Sequence, residues 1–398
     1  MRVCLVAGGL DAEHERRQPW RYLAEVARGL SGQGISLQII TDVTRGQDLK
    51  GLDVSHVPSV RSTWWGANRP LLALLDKASP DRVIWHTGVT SFLYLHIPER
   101  YLARSVAAFT TPLHTWSEVR TAGLCPLFRE RELSAVHLLG LLVPALLVRH
   151  HANAATLRKV VTLSTVVRDR LVRRGADPNC LQIIPPGVNP SWTPLPATEV
   201  AGIRGRLGFG PKDLVVAYAG SPMRLRGIDL LIHATARALK DVAQLRLLVL
   251  SRTRPGEMEQ AGRRVRALAA RKLPEGVARF VTGFLSEEEI RLCLSAADIV
   301  ALPFQLVPSD MPLSVLEAQA LGKPVVAARV GCLEEIVQPA TGVLVPAGES
   351  RSLAEALSRL CSDTGERLRM GQAARGLSEK RPTWGQVVQA WGAILRAP

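Results

Sequence analysis

Short apolar runs alternate with helix-periodic stretches along almost the whole chain. Residues 2–7 form the first run, and Gly8-Gly9 ends it as a flexible turn. Trp20, Leu23, Ala24, Val26, Ala27 and Leu30 then recur at helical spacing up to about Gly32. Residues 36–40, 82–86 and 105–109 read as further strands. Thr162-Leu163-Ser164 ends a strand and opens a helix that Ser164 can cap. Residues 215–219, 245–250, 297–303 and 325–328 are apolar enough for buried strands, and Arg279-Phe280-Val281-Thr282 runs into a capping-box start at Ser286. Strands alternating with helices predict parallel sheets in an α/β protein. Prolines 185, 186, 190, 194 and 196 stiffen a linker, which puts a domain boundary near residue 190.

The most apolar stretch is residues 133–148, interrupted by Gly140 and Pro144 and followed by Arg149-His150-His151. It reads either as a buried core helix or as an interfacial helix beside lipid head groups. Arg158, Lys159, Arg168, Arg170, Arg173 and Arg174 come next, with Asp169 as counter-charge. Composition narrows the class. At 398 residues and 47% hydrophobic, the chain is long enough for two cores and is not a disordered protein. Its net charge of +15 points to acidic partners, whether nucleic acid, anionic lipid or phosphate-bearing ligands. The excess is spread over folded segments and not gathered in a tail. The six cysteines show no Cys-x-x-Cys pair, which fits free thiols in a reducing cytoplasm. The opening residues lack a signal-peptide pattern, and no run of eighteen apolar residues predicts a spanning helix.

Residues 309–330 carry the densest chemistry. Pro312 is expected at the first position of a helix, leaving the amides of Leu313 and Ser314 free. Free amides at the positive end of a helix make an anion site suited to phosphate. Glu317 follows one turn later, Gly322 closes the helix, and Pro324 blocks its continuation.

This segment resembles the signature of the retaining glycosyltransferases of family 4, which have the GT-B fold of two Rossmann-like domains facing across a cleft. Their second signature glutamate matches Glu317, followed by Ala318, Ala320, Gly322, Pro324 and Val325. Ser309 stands where the first glutamate is usual, with Asp310 as the neighbouring carboxylate. Ile183-Ile184-Pro185-Pro186-Gly187-Val188-Asn189 is similar to the end of that family's N-terminal domain. Gly220-Ser221-Pro222-Met223-Arg224-Leu225-Arg226-Gly227 resembles its phosphate loop, with Ser221 in place of the first arginine. Thr383-Trp384 resembles the start of a terminal helix that crosses back.

The resemblance implies an acceptor-side domain over 1–190, joined by about 382–398, and a nucleotide-sugar domain over 191–381. It implies a hexosyltransferase that uses a nucleotide-diphosphate sugar. Gly8, Gly9, Arg224, Arg226, Leu313 and Ser314 would hold the donor phosphates. Glu317, Gly283 and Phe284 would hold ribose and base. His114, just after a strand, and Asp310 would lie near the transferred sugar. An Arg at such a loop makes bidentate contacts to phosphate that Lys cannot. With no Asp-x-Asp, no metal and no other cofactor is expected. The partners expected are the donor, a lipid-linked or saccharide acceptor and an anionic membrane surface on the cytoplasmic side, with no nucleic acid. A nucleotide-sugar epimerase and a non-catalytic sugar-nucleotide-binding protein are the alternatives.

Overall fold

The computed structural model describes residues 1–16, 18–43, 49–61, 68–123, 140–251, 256–283 and 285–397. Among these, seven parallel strands build a first sheet: β1 (Arg2–Val6), β2 (Ser36–Thr41), β3 (Asp53–His56), β4 (Arg82–Thr87), β5 (Ser105–Phe109), β6 (Lys159–Thr162) and β7 (Leu181–Ile183). Their order is β3-β2-β1-β4-β5-β6-β7. Six more build a second parallel sheet: β8 (Leu214–Ala219), β9 (Leu245–Ser251), β10 (Ala278–Thr282), β11 (Ile299–Leu302), β12 (Val325–Ala328) and β13 (Gly342–Val345), ordered β10-β9-β8-β11-β12-β13. The first half carries α1 (Trp20–Gly32), α2 (Arg69–Ala78), α3 (Glu99–Leu102), α4 (Trp116–Ala122), α5 (Ala145–His151) and α6 (Thr165–Arg173). The second carries α7 (Ala197–Leu207), α8 (Ile228–Ala238), α9 (Glu257–Lys272), α10 (Glu287–Ser295), α11 (Leu313–Ala320), α12 (Leu333–Ile336), α13 (Ser350–Ser362) and α14 (Thr364–Glu379). The chain ends in α15 (Trp384–Arg396). Two Rossmann-like domains of this kind are the GT-B fold.

Helices cover both faces of each sheet, so the central strands are buried throughout; β11 and β12 expose no residue. The last helix is the exception to domain order. α15 buries Val387, Val388, Trp391, Ile394 and Leu395 against α1 of the first domain. The two backbones approach so closely that a Cβ at Gly29 would overlap Val388. Trp391 donates its indole N–H to the Tyr22 hydroxyl at 2.8 Å, and that hydroxyl donates to the Ile184 carbonyl at 3.0 Å. A fully buried Trp removes roughly 150–250 Å² from water, which contributes about 4–6 kcal/mol.

Three local expectations change. Pro312 is the N-cap of α11 and not its first helical residue, because its ψ of 119° is non-helical. The apolar stretch is no continuous core helix. Residues 133–139 lie outside the described residues, and Pro144 starts the new helix α5. There Val143 and Val148 are buried while Leu142 and Leu146 face solvent. Strands β3, β7 and β13 are not predicted by the pattern; each sits at an edge of its sheet, where the buried-strand signal is weakest. The Ser164 and Ser286 caps form as read, with oxygens accepting from Val167 and Glu289.

Candidate functional site

Strand order alone marks two places. In the first sheet the order reverses between β1 and β4, and in the second between β8 and β11. Ligands of open parallel sheets bind outside the carboxyl ends of strands at such reversals. The loops that leave those ends hold Gly8, Gly9, Arg224, Arg226 and Asp310 of the residues singled out from the sequence. They are Gly8-Gly9 after β1, residues 220–227 after β8 and residues 303–312 after β11.

Gly8-Gly9 is pinned from two sides. Trp20 donates its indole N–H to the Gly8 carbonyl at 2.9 Å, and Asp42 accepts the Gly9 N–H at 3.0 Å. Across the molecule, β8 ends in a 3-10 turn over Arg224–Arg226, closed by Gly227 at φ 79°. A Cβ at Gly227 would overlap the Pro303 carbonyl oxygen, so only glycine lets the β8 and β11 loops pack here. The Leu225 carbonyl accepts the Gln305 N–H at 2.9 Å, which stitches the two loops together. Arg224 pairs with Asp229 at 2.9 Å, and Arg264 shares the same carboxylate. Arg226 is half-buried beside it.

The loop before α11 turns through Met311 at φ 52°. Asp310 is 1% exposed and lies against Ser164 of the first domain and Cys332 of the second. Burial pushes its carboxyl up to about 7, against the pull of the Ser164 hydroxyl, while Glu335 adds to the rise. Leu313 and Ser314 open α11 half-buried. One turn on, Glu317 accepts from Arg21 of α1 at 2.9 Å, and Arg21 holds Glu287 at 2.8 Å with its other nitrogen. Burial lowers the Arg21 pKa, but Glu317 and Glu287 outweigh it and raise the group above its ordinary value. Glu287 also accepts from the Trp192 indole at 2.6 Å. Arg21 therefore bridges the two domains at the signature glutamate.

On the first-domain side, His114 follows β5 and is buried. Burial drives its pKa down to about 4, with Glu118 pulling up and Arg170 pushing down, so the ring is neutral near pH 7. Glu118 sits 3.9 Å from the His114 Nδ1 and holds Arg170 at 2.7 Å. It also accepts the Gly331 N–H from the second domain at 2.9 Å. Burial raises the Glu118 pKa, yet Arg170 and the backbone donors bring it below its ordinary value. Thr165 donates both its N–H and its hydroxyl to Glu335, at 3.0 and 2.7 Å, as a further link between domains. His86 shares a hydrogen bond with Thr110 at 3.0 Å, and burial takes it to about 4 as well.

Gly8, Gly9 and His114 thus lie on strand-end loops of the first sheet, and Arg224, Arg226, Asp310, Leu313, Ser314 and Glu317 on loops and the α11 helix of the second. Arg21 and Glu118 join them unannounced, one on an amphipathic helix and one in a capping box. Gly283 ends β10 at φ 133° with open space around it, while Phe284 lies outside the described residues. Among the described residues, no three His, Cys, Asp or Glu side chains are grouped to hold a metal ion, and no helix is long and apolar enough to cross a membrane.

The arginines after the apolar stretch are not one solvated face. Arg170 is turned inward onto Glu118 and the Leu113 carbonyl, and Arg174 donates to the Gly140 carbonyl at 2.8 Å. Arg168 is paired with Asp169. Arg173 is exposed, as are Arg149 and His150 on α5. Leu93, Leu142 and Leu146 are exposed nearby, Leu146 at 75%, and Trp116 is exposed at the start of α4.

Residues 213–363 match the family described as Glycosyl transferases group 1. A D-inositol 3-phosphate glycosyltransferase of Salinispora arenicola is 33% identical over 384 residues, covering 89% of this chain and 81% of that protein. One of Streptomyces bingchenggensis is 34% identical over 217 residues, 53% of this chain; the match spans only 47% of that protein's length. Anabaena HepE, solved in complex with UDP and glucose, superposes over 100% of both chains with a TM-score of 0.73 at 15% identity.

Proposed function

The chain belongs to the group 1 glycosyl transferases, and from that premise we propose that it moves a hexose from a nucleotide-diphosphate donor to a lipid-linked or cell-surface saccharide, retaining the anomeric configuration. The observation that carries this is that each parallel sheet reverses its strand order once, with Arg226 and Asp310 on loops of the second sheet, His114 on a loop of the first, and Arg21 joining the two domains at Glu317. A donor phosphate fits the start of α11, where the amides of Leu313 and Ser314 and the cations Arg224 and Arg226 favour negative charge. The ribose diol fits Glu317. The bond from the anomeric carbon to the leaving phosphate oxygen breaks as the acceptor oxygen bonds that carbon. The acceptor proton goes to the leaving phosphate, so no side-chain nucleophile is needed. His114, neutral, serves as hydrogen-bond partner to a sugar hydroxyl. Asp310, protonated up to about pH 7, serves as a donor from its place against Ser164. Cations and helix amides take the role a metal would have, so turnover is independent of divalent ions.

The exposed leucines 93, 142 and 146, next to Arg149, His150 and Arg173, support docking on an anionic cytoplasmic membrane face that presents the acceptor. A second reading follows from the 33% identity to an enzyme named for D-inositol 3-phosphate, which favours a small phosphorylated polyol as acceptor. The experiment is incubation with UDP-, GDP- and ADP-hexoses plus either membrane lipid extract or inositol 3-phosphate. Nucleotide release and product configuration are followed by NMR, with and without EDTA. An α-linked product on lipid from an α-donor, unaffected by EDTA, supports the leading reading. Product on inositol 3-phosphate alone moves the acceptor to the second. Donor binding without transfer marks a non-catalytic protein, and an altered free nucleotide sugar marks an epimerase.

A further inference from the structure

As a capping residue, Glu118 needs to offer one oxygen to the Thr115 N–H at the start of α4. It does considerably more. One carboxylate oxygen accepts the Thr115 N–H at 2.8 Å and an Arg170 nitrogen at 2.9 Å. The other accepts the second Arg170 nitrogen at 2.7 Å and the Gly331 N–H at 2.9 Å. Gly331 follows β12 in the opposite domain. Its φ is 56°, and a Cβ there would stand 2.6 Å from a Val307 methyl, so the position needs glycine to aim that N–H. Arg170 also donates to the Leu113 carbonyl at 2.5 Å. The residues on both sides of His114 are therefore held, Leu113 through Arg170 and Thr115 through Glu118.

A cap alone explains little of this. The capping box of Ser286 and Glu289 in the same chain forms at an exposed site, whereas the Glu118 side chain is only 11% exposed and reaches both domains. A largely enclosed carboxylate with five donors from three elements is a device for fixing geometry. We propose that Glu118 is a positioning residue for the transfer reaction: it orders the His114 loop when the second domain closes and delivers the Gly331 N–H. The inference rests on the transferase reading.

The test compares the full chain with Glu118→Gln and Glu118→Ala. Gln keeps one acceptor oxygen, enough for the Thr115 or the Gly331 N–H but not both, and loses the charge that holds Arg170. Turnover of the hexose donor identified above is measured together with UDP binding by calorimetry and a 2D NMR titration of the His114 ring. A displaced loop costs about 100-fold in rate, so kcat is expected to fall by about that factor in the Ala variant and less in Gln. The donor KM and the UDP affinity stay within about twofold. His114 titrates lower in Glu118→Gln than in the wild type, because the carboxylate that favours its charged form is gone. Wild-type kcat in both variants, or an unmoved His114 titration, overturns the proposal and leaves Glu118 a cap. If Glu118→Ala does not fold, Glu118→Gln carries the comparison. If the wild type binds no nucleotide at all, the transferase reading is what fails, and the His114 titration still decides whether Glu118 governs that ring.

Discussion

On the proposed donor role of Glu317, replacing Arg21 by alanine is expected to tighten binding of the donor's nucleoside diphosphate, with UDP as the probe. An Arg21 nitrogen lies 2.9 Å from one Glu317 oxygen, and the Glu317 side chain is only 13% exposed. On the proposed role of Glu317, a ribose diol competes with Arg21 for that oxygen. A hydrogen bond to a charged group contributes roughly 1.5–3 kcal/mol, and each 1.4 kcal/mol is about tenfold in affinity. Arg21 keeps its second partner, Glu287 at 2.8 Å, after releasing Glu317, so the lower end applies. The expected gain is about tenfold. The same substitution costs stability, because Glu317 is left partly buried without its cation; about 3–5 kcal/mol is the ceiling for breaking such a pair. Glu287 contributes little to that loss, since the Trp192 indole still holds it at 2.6 Å. Calorimetry with UDP on the wild type, Arg21→Ala, Glu317→Ala and the double variant closes a thermodynamic cycle. Unchanged or weaker UDP affinity in Arg21→Ala, with Glu317→Ala weakened as a ribose ligand should be, refutes the competition.

Glu317→Ala and Arg226→Ala should each lower turnover at least about tenfold with circular dichroism unchanged, as expected for losing one charge-assisted contact; near-wild-type rates in both would remove the donor site. Trp391→Ala should destabilise by about 3–5 kcal/mol, as for other buried aromatics, read as a lower urea midpoint. Burial raises the folded Asp310 carboxyl to about 7, well above its ordinary range, so the folded state binds the proton more tightly. Its contribution is full below about pH 4 and is lost as pH rises to about 7. The wild-type-minus-Asp310→Asn difference in unfolding free energy should shrink over that window, and a flat difference would contradict the burial argument.

Local pattern carried most of the fold. The strand-end glycines, the caps at Ser164 and Ser286 and the buried run of β12 are written in neighbouring residues, so they could be read without partners. What escaped depends on distance. Arg21 meets Glu317 across 296 positions and Glu118 meets Gly331 across 213. Nothing near Arg21 distinguishes it from a solvated cation on an amphipathic helix. Arg170 reads as part of a basic face, and only the fold turns it inward to Glu118. β3, Asp53-Val54-Ser55-His56, has one apolar residue and sits at a sheet edge, where pattern is weakest. The apolar stretch before α5 misled for the opposite reason: composition cannot say which leucines a proline turn will leave outside.

The clasp of α15 on α1 also sets the order of events at the ribosome. The helix whose Trp391 holds Tyr22 lies 369 positions after it along the chain. At ~5–20 residues per second, roughly 20–70 s pass between the emergence of α1 and the arrival of its cover. Through that interval the apolar face of α1 has no native partner, although its own sheet is already complete. The first domain is thus a nascent client for chaperones until α15 has emerged and docked on α1.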